Sequence, residues 1–392
     1  MLEKICNNHT FRILFFYIPC IIQAVILNIP IISVFFNIWR IIAFILIGVY
    51  IWVKKVKITK TMIGCVCFSG LIILVTFFRG TDINNSISIS MMMFTVISLS
   101  EIEIKRDANF YFKIIAIVSY IVVGIDNIQI YTGIGFKETY NGTLLMGDNF
   151  AIFSILPMLG IIVMENYINK KKVQKVTIVF VVITLLAKFK TFAVTSMLAS
   201  VGLLFIILYL FYVEISKRTR NIVICVGIVL TLIVAFNFTE VFMLIAKPFG
   251  KDSVVEHSRV AIWENSIYAI KNHFLFGHGV LSASEEAIAI IGVPWLTYSH
   301  THNYLLELLF RTGVVGTAMY VFMIKDCFNV ILKKTYNEAI CVLKAFLISF
   351  IILGLTDSYY AHAPIYVLVV LCSHIEVIKE NVKLSVSKKI KL

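Results

Sequence analysis

The sequence predicts an all-α fold: a polytopic bundle of transmembrane helices with one long loop on the outer side. Hydrophobic residues make up 60% of the 392 positions and charged residues 15%. Apolar stretches near the roughly 20 residues that cross a bilayer recur from end to end. Because backbone polar groups in a bilayer must be paired internally, runs interrupted only by Lys-rich or Asn-rich segments are expected to be helices rather than barrel strands.

We place about twelve spans along the chain, with ten to twelve compatible with the pattern. In order they are 12–36, 41–53, 61–78, 86–100, 111–127, 149–166, 174–189, 191–213, 221–245, 302–323, 338–355 and 364–378. The second and seventh are short for a crossing. The first is expected to be retained rather than cleaved as a signal peptide, because Pro19, Gln23 and Pro30 interrupt it and no small-residue cleavage pattern follows.

Basic residues predict the orientation of the bundle, since Lys and Arg accumulate in short cytoplasmic loops. Clusters fall on alternate loops, near residues 54–60, 105–106, 170–175, 217–220, 333–334 and 388–391. Both termini are therefore expected in the cytoplasm. The outer loops are then 80–85, 128–148, 246–301 and 356–363. We treat 1–392 as a single integral membrane domain, with 246–301 as its large extracytoplasmic loop.

Composition also disfavours two kinds of site. The net charge of +13 follows from the topological bias and suits anionic lipid headgroups. A nucleic-acid site would need basic and aromatic residues clustered on a soluble domain, and none is predicted. The eight cysteines fall in spans or on the cytoplasmic side, so they are interpreted as buried small hydrophobic residues rather than as disulfide partners or metal ligands.

The long outer loop contains a predicted amphipathic helix over 258–274. Its apolar positions recur at helical spacing, at Trp263, Ile267, Ile270 and Phe274. Arg259 lies one turn before Trp263 on the same face. The glycines of 276–279 are expected to end the helix, because they permit left-handed backbone. Arg259 is a candidate ligand for an anionic substrate, although pairing with Glu264 is the alternative.

Two lysines interrupt the apolar pattern near the outer face. Lys188 and Lys190 lie between two apolar runs with almost no loop, so each charge must reach an outer cavity, find a partner or extend to the headgroups. The ligand that suits such cations is a lipid phosphate, for which Arg offers a two-pronged guanidinium and Lys a point charge.

Polar residues gather where the tenth span begins. His302 and Asn303 open the span, and Glu307 follows about one turn later. A lone histidine at a span boundary is often structural, so His302 gains weight only together with the cations of the outer loop. Gly313 and Gly316 follow at fixed spacing.

These residues resemble the membrane O-antigen polymerase and O-antigen ligase superfamily of bacterial polysaccharide assembly. The ligase-type pattern is His, then Asn, Ser or Gln, nine residues, Gly, two residues, then Gly, Thr or Tyr. His302, Asn303, Gly313 and Gly316 match it without a gap. The stretches 258–263 and 276–279 are similar to the start and end of the family's outer loop. Lys190 and Thr191, which enter the eighth span, fall where many members carry a Ser-Arg pair, and this is a departure from the family.

The resemblance implies a metal-independent glycosyltransferase without a cofactor, in the bacterial cytoplasmic membrane. Its donor would be an oligosaccharide on undecaprenyl diphosphate at the outer face. His302 and Arg259 would be catalytic, His302 as the base or as the residue that orients the acceptor, and Arg259 as a phosphate clamp. The implied substrate-binding residues are Lys190, Lys188, Asn303 and Trp263. A chain-length regulator and a flippase are the protein partners that such an enzyme implies, besides membrane lipids.

Three functions remain open from the sequence. We favour a polymerase of O-antigen or capsule, which joins lipid-linked repeat units. The first alternative is a ligase that transfers finished glycan to lipid A core or another terminal acceptor. The second is a transporter of lipid-linked oligosaccharide, disfavoured because the halves of the chain show no convincing self-similarity.

Overall fold

The computed structural model describes residues 7–22, 29–137, 142–143, 152–170, 172–190, 254–281, 301–332, 337–354 and 362–378. Within these ranges the chain is almost entirely helical, which confirms the all-α prediction. In chain order the helices are α1 His9–Ile21, α2 Pro30–Val53, α3 Lys60–Arg79, α4 Ile83–Thr132, α5 Ile152–Glu165, α6 Lys175–Lys190, α7 Val254–Asn272, α8 Tyr304–Met323, α9 Lys325–Leu332, α10 Glu338–Gly354 and α11 Pro364–Ser373. A single π-helical turn, Asn166–Lys170, extends α5.

One small strand pair lies in the predicted outer loop 128–148. The two-residue strands β1 (Phe136–Lys137) and β2 (Gly142–Thr143) pair antiparallel. Helix α4 runs to Thr132, so this loop begins later than predicted.

The predicted boundary between the first two spans, 12–36 and 41–53, is wrong. Helix α1 ends at Ile21, and α2 then continues without a break through Arg40. Arg40 is buried, and its guanidinium donates to the backbone oxygens of Pro19 and Ile22, both at 2.8 Å. The arginine can therefore lie inside a helix, because it pairs with carbonyls left open at the end of α1.

Helix α4 joins two predicted spans, 86–100 and 111–127, across a kink. Asp107 leaves the helical conformation (φ −158°, ψ 88°), and its carboxylate accepts from the N–H of Phe110 at 2.9 Å. Asp107 thus caps the second half of α4 and ends the first.

Buried carboxylates lie just before this kink. Glu103 accepts from Arg12 of α1 at 2.5 Å, with both side chains 1% exposed. Glu101 contacts His374, beyond α11, at 2.8 Å and Lys105 at 3.2 Å. These contacts connect both ends of the described chain to the middle of α4.

Among the residues that the structure describes, five helical segments are long and apolar enough to cross a membrane: α2, α3, α4, α5 with its π-helical turn, and α8. The predicted spans 174–189, 338–355 and 364–378 correspond to the shorter helices α6, α10 and α11. The predicted spans 191–213 and 221–245 lie outside the described residues.

Helix α2 exposes a broad apolar face, which includes Ile31, Val34, Phe35, Ile38 and Ile45, each more than half exposed. In water such a face would favour aggregation, whereas hydrocarbon is its natural surrounding. By contrast, every residue of α5 is buried, and α5 packs against α4, α10 and α11. The chain is therefore a multi-pass membrane protein with α5 at its centre.

The helix predicted in the long outer loop is confirmed as α7, which packs on α8, and α8 packs along α3. Its contact face differs from the predicted stripe, because Ile267 is 41% and Phe274 54% exposed. The buried side chains of the described part are Ile262, Trp263, Ser266, Ala269 and Ile270. Part of this face packs against Phe310 of α8. The helix also ends at Asn272, before the glycines expected to stop it.

Candidate functional site

His302 and Asn303 lie at the start of α8, as the sequence predicts. Asn303 caps the helix, since its side-chain oxygen accepts from the N–H groups of Leu305 and Leu306, both at 3.1 Å. His302 precedes the cap with a positive φ of 51°, and both residues are buried. A non-glycine residue in this conformation is held there by its neighbours.

Thr301, next to His302, is fixed by side chains from two helices. The indole N–H of Trp263 in α7 donates to the carbonyl of Thr301 at 2.9 Å. The N–H of Thr301 donates to the Glu307 carboxylate in α8 at 2.8 Å. Trp263 therefore lies beside the His302 segment and contacts its backbone.

The Glu307 carboxylate also pairs with Arg311, one helical turn further along α8. Glu307 is fully buried and Arg311 is 8% exposed. Two charges at i and i+4 can face each other on one side of a helix. The guanidinium thus compensates a carboxylate that would otherwise be costly to bury.

Helix α8 is interrupted at Gly313, and residues 274–280, which we call the strap, fill the gap. Val314 and Val315 donate to the carbonyls of Phe274 and Leu275, at 2.9 and 3.2 Å. In the other direction, two N–H groups of the strap donate to two carbonyls of α8: His278 to Phe310 at 2.8 Å, and Gly279 to Arg311 at 2.9 Å. Backbone groups that would bond within an unbroken helix therefore bond to the strap.

The close approach of strap and helix accounts for Gly313 of the motif and for Gly277 of the strap. Gly313 has φ +62°, and a β-carbon there would lie 2.3 Å from the carbonyl of Leu275. Gly277 has φ +72°, and a β-carbon there would lie 2.5 Å from the backbone of Arg311. A side chain at either position would separate the two segments. At Gly316, a β-carbon would lie 2.3 Å from that of Thr312.

The opposite side of the strap contacts the end of α3. The N–H of Val280 donates to the Thr76 hydroxyl at 3.0 Å, and its carbonyl accepts from Asp82 at 2.9 Å. Arg79 also donates to the Nδ1 atom of His273 at 2.8 Å. Helices α3, α7 and α8 therefore meet around this one segment.

The two histidines at this junction resist protonation. Burial lowers the pKa of His273, and the Arg79 guanidinium lowers it further. Burial likewise lowers the pKa of His278, although its hydrogen bond to the Ala269 carbonyl at 3.0 Å opposes the shift. Both rings are therefore mainly neutral near pH 7, with the Arg79 guanidinium beside His273.

Lys188 lies in a different cluster, between α4 and α6. Its ammonium pairs with Asp126 at 2.6 Å, and both side chains are nearly or fully buried. Asp126 also accepts from the hydroxyl of Thr143 in β2 at 2.6 Å. The charge of Lys188 is thus compensated by a protein carboxylate.

For the remaining two predicted cations, the structure gives the position of the backbone. Arg259 belongs to α7, one turn before Trp263, and Lys190 is the last residue of α6. Their side chains lie outside the described atoms. The structure therefore brings Trp263, His302 and Asn303 together and leaves the positions of the Arg259 and Lys190 charges as predictions.

Three participants were not predicted from the sequence as parts of the site: the Arg311 partner of Glu307, the Asp126 partner of Lys188, and the strap. The i,i+4 spacing of Glu307 and Arg311 was a usable signal. Asp126 lies 62 positions before Lys188 and offered no local signal.

Comparison with known families gives a match over part of the chain. The family model described as O-antigen ligase matches residues 178–321, a range that contains Lys188, Arg259, His302 and Gly316. This match confirms the resemblance inferred from the motif. No curated protein matches the chain.

Proposed function

On the premise that residues 178–321 form an O-antigen ligase family region of a multi-pass membrane protein, we propose that the protein is a polysaccharide polymerase. It transfers glycan from undecaprenyl diphosphate to another lipid-linked repeat unit, at the outer face of the cytoplasmic membrane. The observation that carries this proposal is the buried His302 segment, held between Trp263 of α7 and Glu307 of α8.

In the proposed reaction, a hydroxyl oxygen of the acceptor attacks the anomeric carbon of the donor sugar. The bond between that carbon and the diphosphate oxygen breaks, and the diphosphate leaves with the electron pair. His302 accepts the hydroxyl proton or orients the hydroxyl, a role that suits an imidazole because its ordinary pKa is near neutral. Direct attack would invert the configuration at the anomeric carbon.

The leaving diphosphate gains negative charge, which cations of this chain can stabilise without a metal ion. We assign this role to Arg259 and Lys190. Since Asp126 already compensates Lys188, we assign Lys188 to holding the end of α6 against α4. Asn303 and Trp263, first expected to contact substrate, support the backbone around His302.

A ligase is the second candidate, and the description of the matching family favours it. The two candidates differ in the acceptor: another lipid-linked repeat unit for a polymerase, or a terminal acceptor such as lipid A core for a ligase. A flippase would supply the donor in either case, and a chain-length regulator would act on the polymerase.

A gel of lipid-linked and surface polysaccharide separates the candidates. A deletion strain would be complemented with the parental gene, His302→Ala or Arg259→Ala. We expect the deletion and both variants to leave single repeat units on the acceptor. Full-length polymer that stays on undecaprenyl diphosphate would instead identify a ligase.

His9→Ala and Arg106→Ala serve as matched controls, because these residues lie near the kink of α4, on the predicted cytoplasmic side. Both controls should restore parental polymer. Parental polymer in His302→Ala and Arg259→Ala at normal protein levels would contradict the glycosyltransferase proposal.

A further inference from the structure

Both backbone polar groups of Thr301 are bound by side chains from elsewhere in the fold. Its N–H donates to Glu307 at 2.8 Å, and its carbonyl accepts from Trp263 at 2.9 Å. Its hydroxyl donates to the carbonyl of Asn303 at 2.9 Å, across His302. Thr301 is fully buried. The residue before His302 is thus held at three atoms.

The backbone of His302 needs this support. Its φ of 51° lies in the left-handed region, which a β-carbon disfavours. On the C-terminal side, the helix cap made by Asn303 fixes the chain. On the N-terminal side, the chain is fixed through Thr301. Without both supports the backbone would relax toward an ordinary conformation and carry the imidazole with it.

The Glu307 carboxylate divides its two oxygens between two tasks. Oε1 accepts from Arg311, and Oε2 accepts from Thr301. A buried ion pair alone gives a fold little advantage over an apolar pair of the same size. The hydrogen bond to Thr301 is the contribution that an apolar residue at position 307 could not replace.

We propose that Glu307 is a positioning residue, which fixes the imidazole of His302 by accepting the N–H of Thr301, with Arg311 as the counter-charge that lets the carboxylate be buried. Trp263 positions the same segment from α7. This inference rests on the proposed function, because it takes His302 as the group that acts on the acceptor hydroxyl. It adds that the site is assembled by contact between the outer-loop helix and α8.

Two double variants isolate the hydrogen bond to Thr301 from the ion pair. Glu307→Gln with Arg311→Met removes both charges and keeps an oxygen that can accept from Thr301. Glu307→Leu with Arg311→Met removes both charges and the acceptor. The Gln and Leu side chains at position 307 are similar in size, so the packing around this position is closely matched in the two variants.

Initial rates would be measured on purified protein, with the lipid-linked glycan that the deletion strain accumulates as substrate. The Gln variant should keep kcat within about threefold of the parent. The Leu variant should lose at least tenfold in kcat with little change in KM, because proton transfer depends on the position of the base. Trp263→Phe should lower kcat in the same direction, and it keeps the test valid if the Leu variant does not fold.

The matched control is Arg12→Met with Glu103→Leu, which removes a second buried Arg–Glu pair, near the kink of α4. It should keep the parental kcat. Equal rates in the two Glu307 double variants, whether high or low, would overturn the positioning role. His302→Ala, measured beside them, reports on the proposed function separately: if it is inactive while the double variants are equal, the positioning inference alone fails, and if it is fully active, the role of His302 fails.

Discussion

At the scale of single residues, backbone contacts decide which side chains the motif tolerates. Gly313 of α8 and Gly277 of the strap must be glycines where these two segments meet, and His302 is held by the hydrogen bonds of its two neighbours. The apolar run over 302–323 predicted that His302 and Asn303 lie where α8 begins, and the prediction is confirmed. It could not predict that Glu307 turns back toward Thr301, because spacing along a helix does not specify which backbone group a carboxylate binds.

Gly313→Ala should destabilise the protein and abolish activity. The new β-carbon would meet the Leu275 carbonyl in a left-handed backbone, and the two effects together cost roughly 2–5 kcal/mol. The thermal midpoint in detergent and the polymer gel would both report the loss. Gly124→Ala is the matched control, since a β-carbon at that position would have no neighbour within 4 Å; it should be neutral or slightly stabilising. Equal midpoints for the two variants would refute the close approach at Gly313.

His362 should make stability depend on pH. Burial lowers the pKa of His362 to about 4, and its Nδ1 atom lies 2.8 Å from the hydroxyl of Ser154. The unfolded chain protonates near the ordinary value of 6.5, whereas the folded protein does not. The contribution of His362 is therefore complete above about pH 6.5 and is lost as the pH falls toward 4.

The thermal midpoint, measured from about pH 7.5 to about pH 4, should consequently fall less steeply in His362→Gln than in the parent. The glutamine can still bond to Ser154 but cannot titrate in this range. If the thermal midpoint falls equally steeply with pH in parent and variant, the His362 imidazole has the same pKa in the folded and unfolded protein.

At the scale of elements, the predicted helix bounds are confirmed where one apolar run forms one helix, as in α3, α8 and the spans at the C-terminal end. The prediction fails at α1 and α2, because Arg40 interrupts an apolar run without ending the helix. Its partners are carbonyls of α1, which lie in the preceding helix and cannot be recognised from local sequence. The face of α7 that contacts α8 was misplaced for the same reason: the helix alone does not show which side its partner covers.

The stability of the packing between α4 and α6 should depend on the Lys188–Asp126 ion pair. Lys188→Met leaves a buried carboxylate without that cation and should cost about 3–5 kcal/mol. Lys188→Met with Asp126→Asn should recover most of this loss, because the amide oxygen can still accept from Thr143. Thermal midpoints of the single and double variants test the coupling.

Activity of the same double variant tests the role of Lys188. Near-parental polymer would support the assignment of Lys188 to holding α6. A stable but inactive double variant would show that the ammonium also contacts substrate, as the sequence first indicated.

At the scale of the whole molecule, the site belongs on the outer face if the predicted orientation is correct. We expect Lys271→Cys, at the exposed end of α7, to react with a membrane-impermeant maleimide in intact cells. Lys175→Cys, at the exposed start of α6, should react only after the membrane is opened. Labelling in the reverse order would place the outer loop in the cytoplasm and contradict a reaction on the outer leaflet.

The number of residues between Asn303 and Gly313 fixes the distance along α8 from its N-terminal cap to its break. Helix rise sets the ten steps from the cap to the break at about 15 Å; Trp263 holds the chain at Thr301, just before the cap, and the strap holds it at the break. An insertion of one residue between them would lengthen this distance by about 1.5 Å and rotate the start of α8 by about 100° relative to Gly313. The number of residues in the motif therefore determines a distance, which is the separation along α8 between the His302 imidazole and the strap.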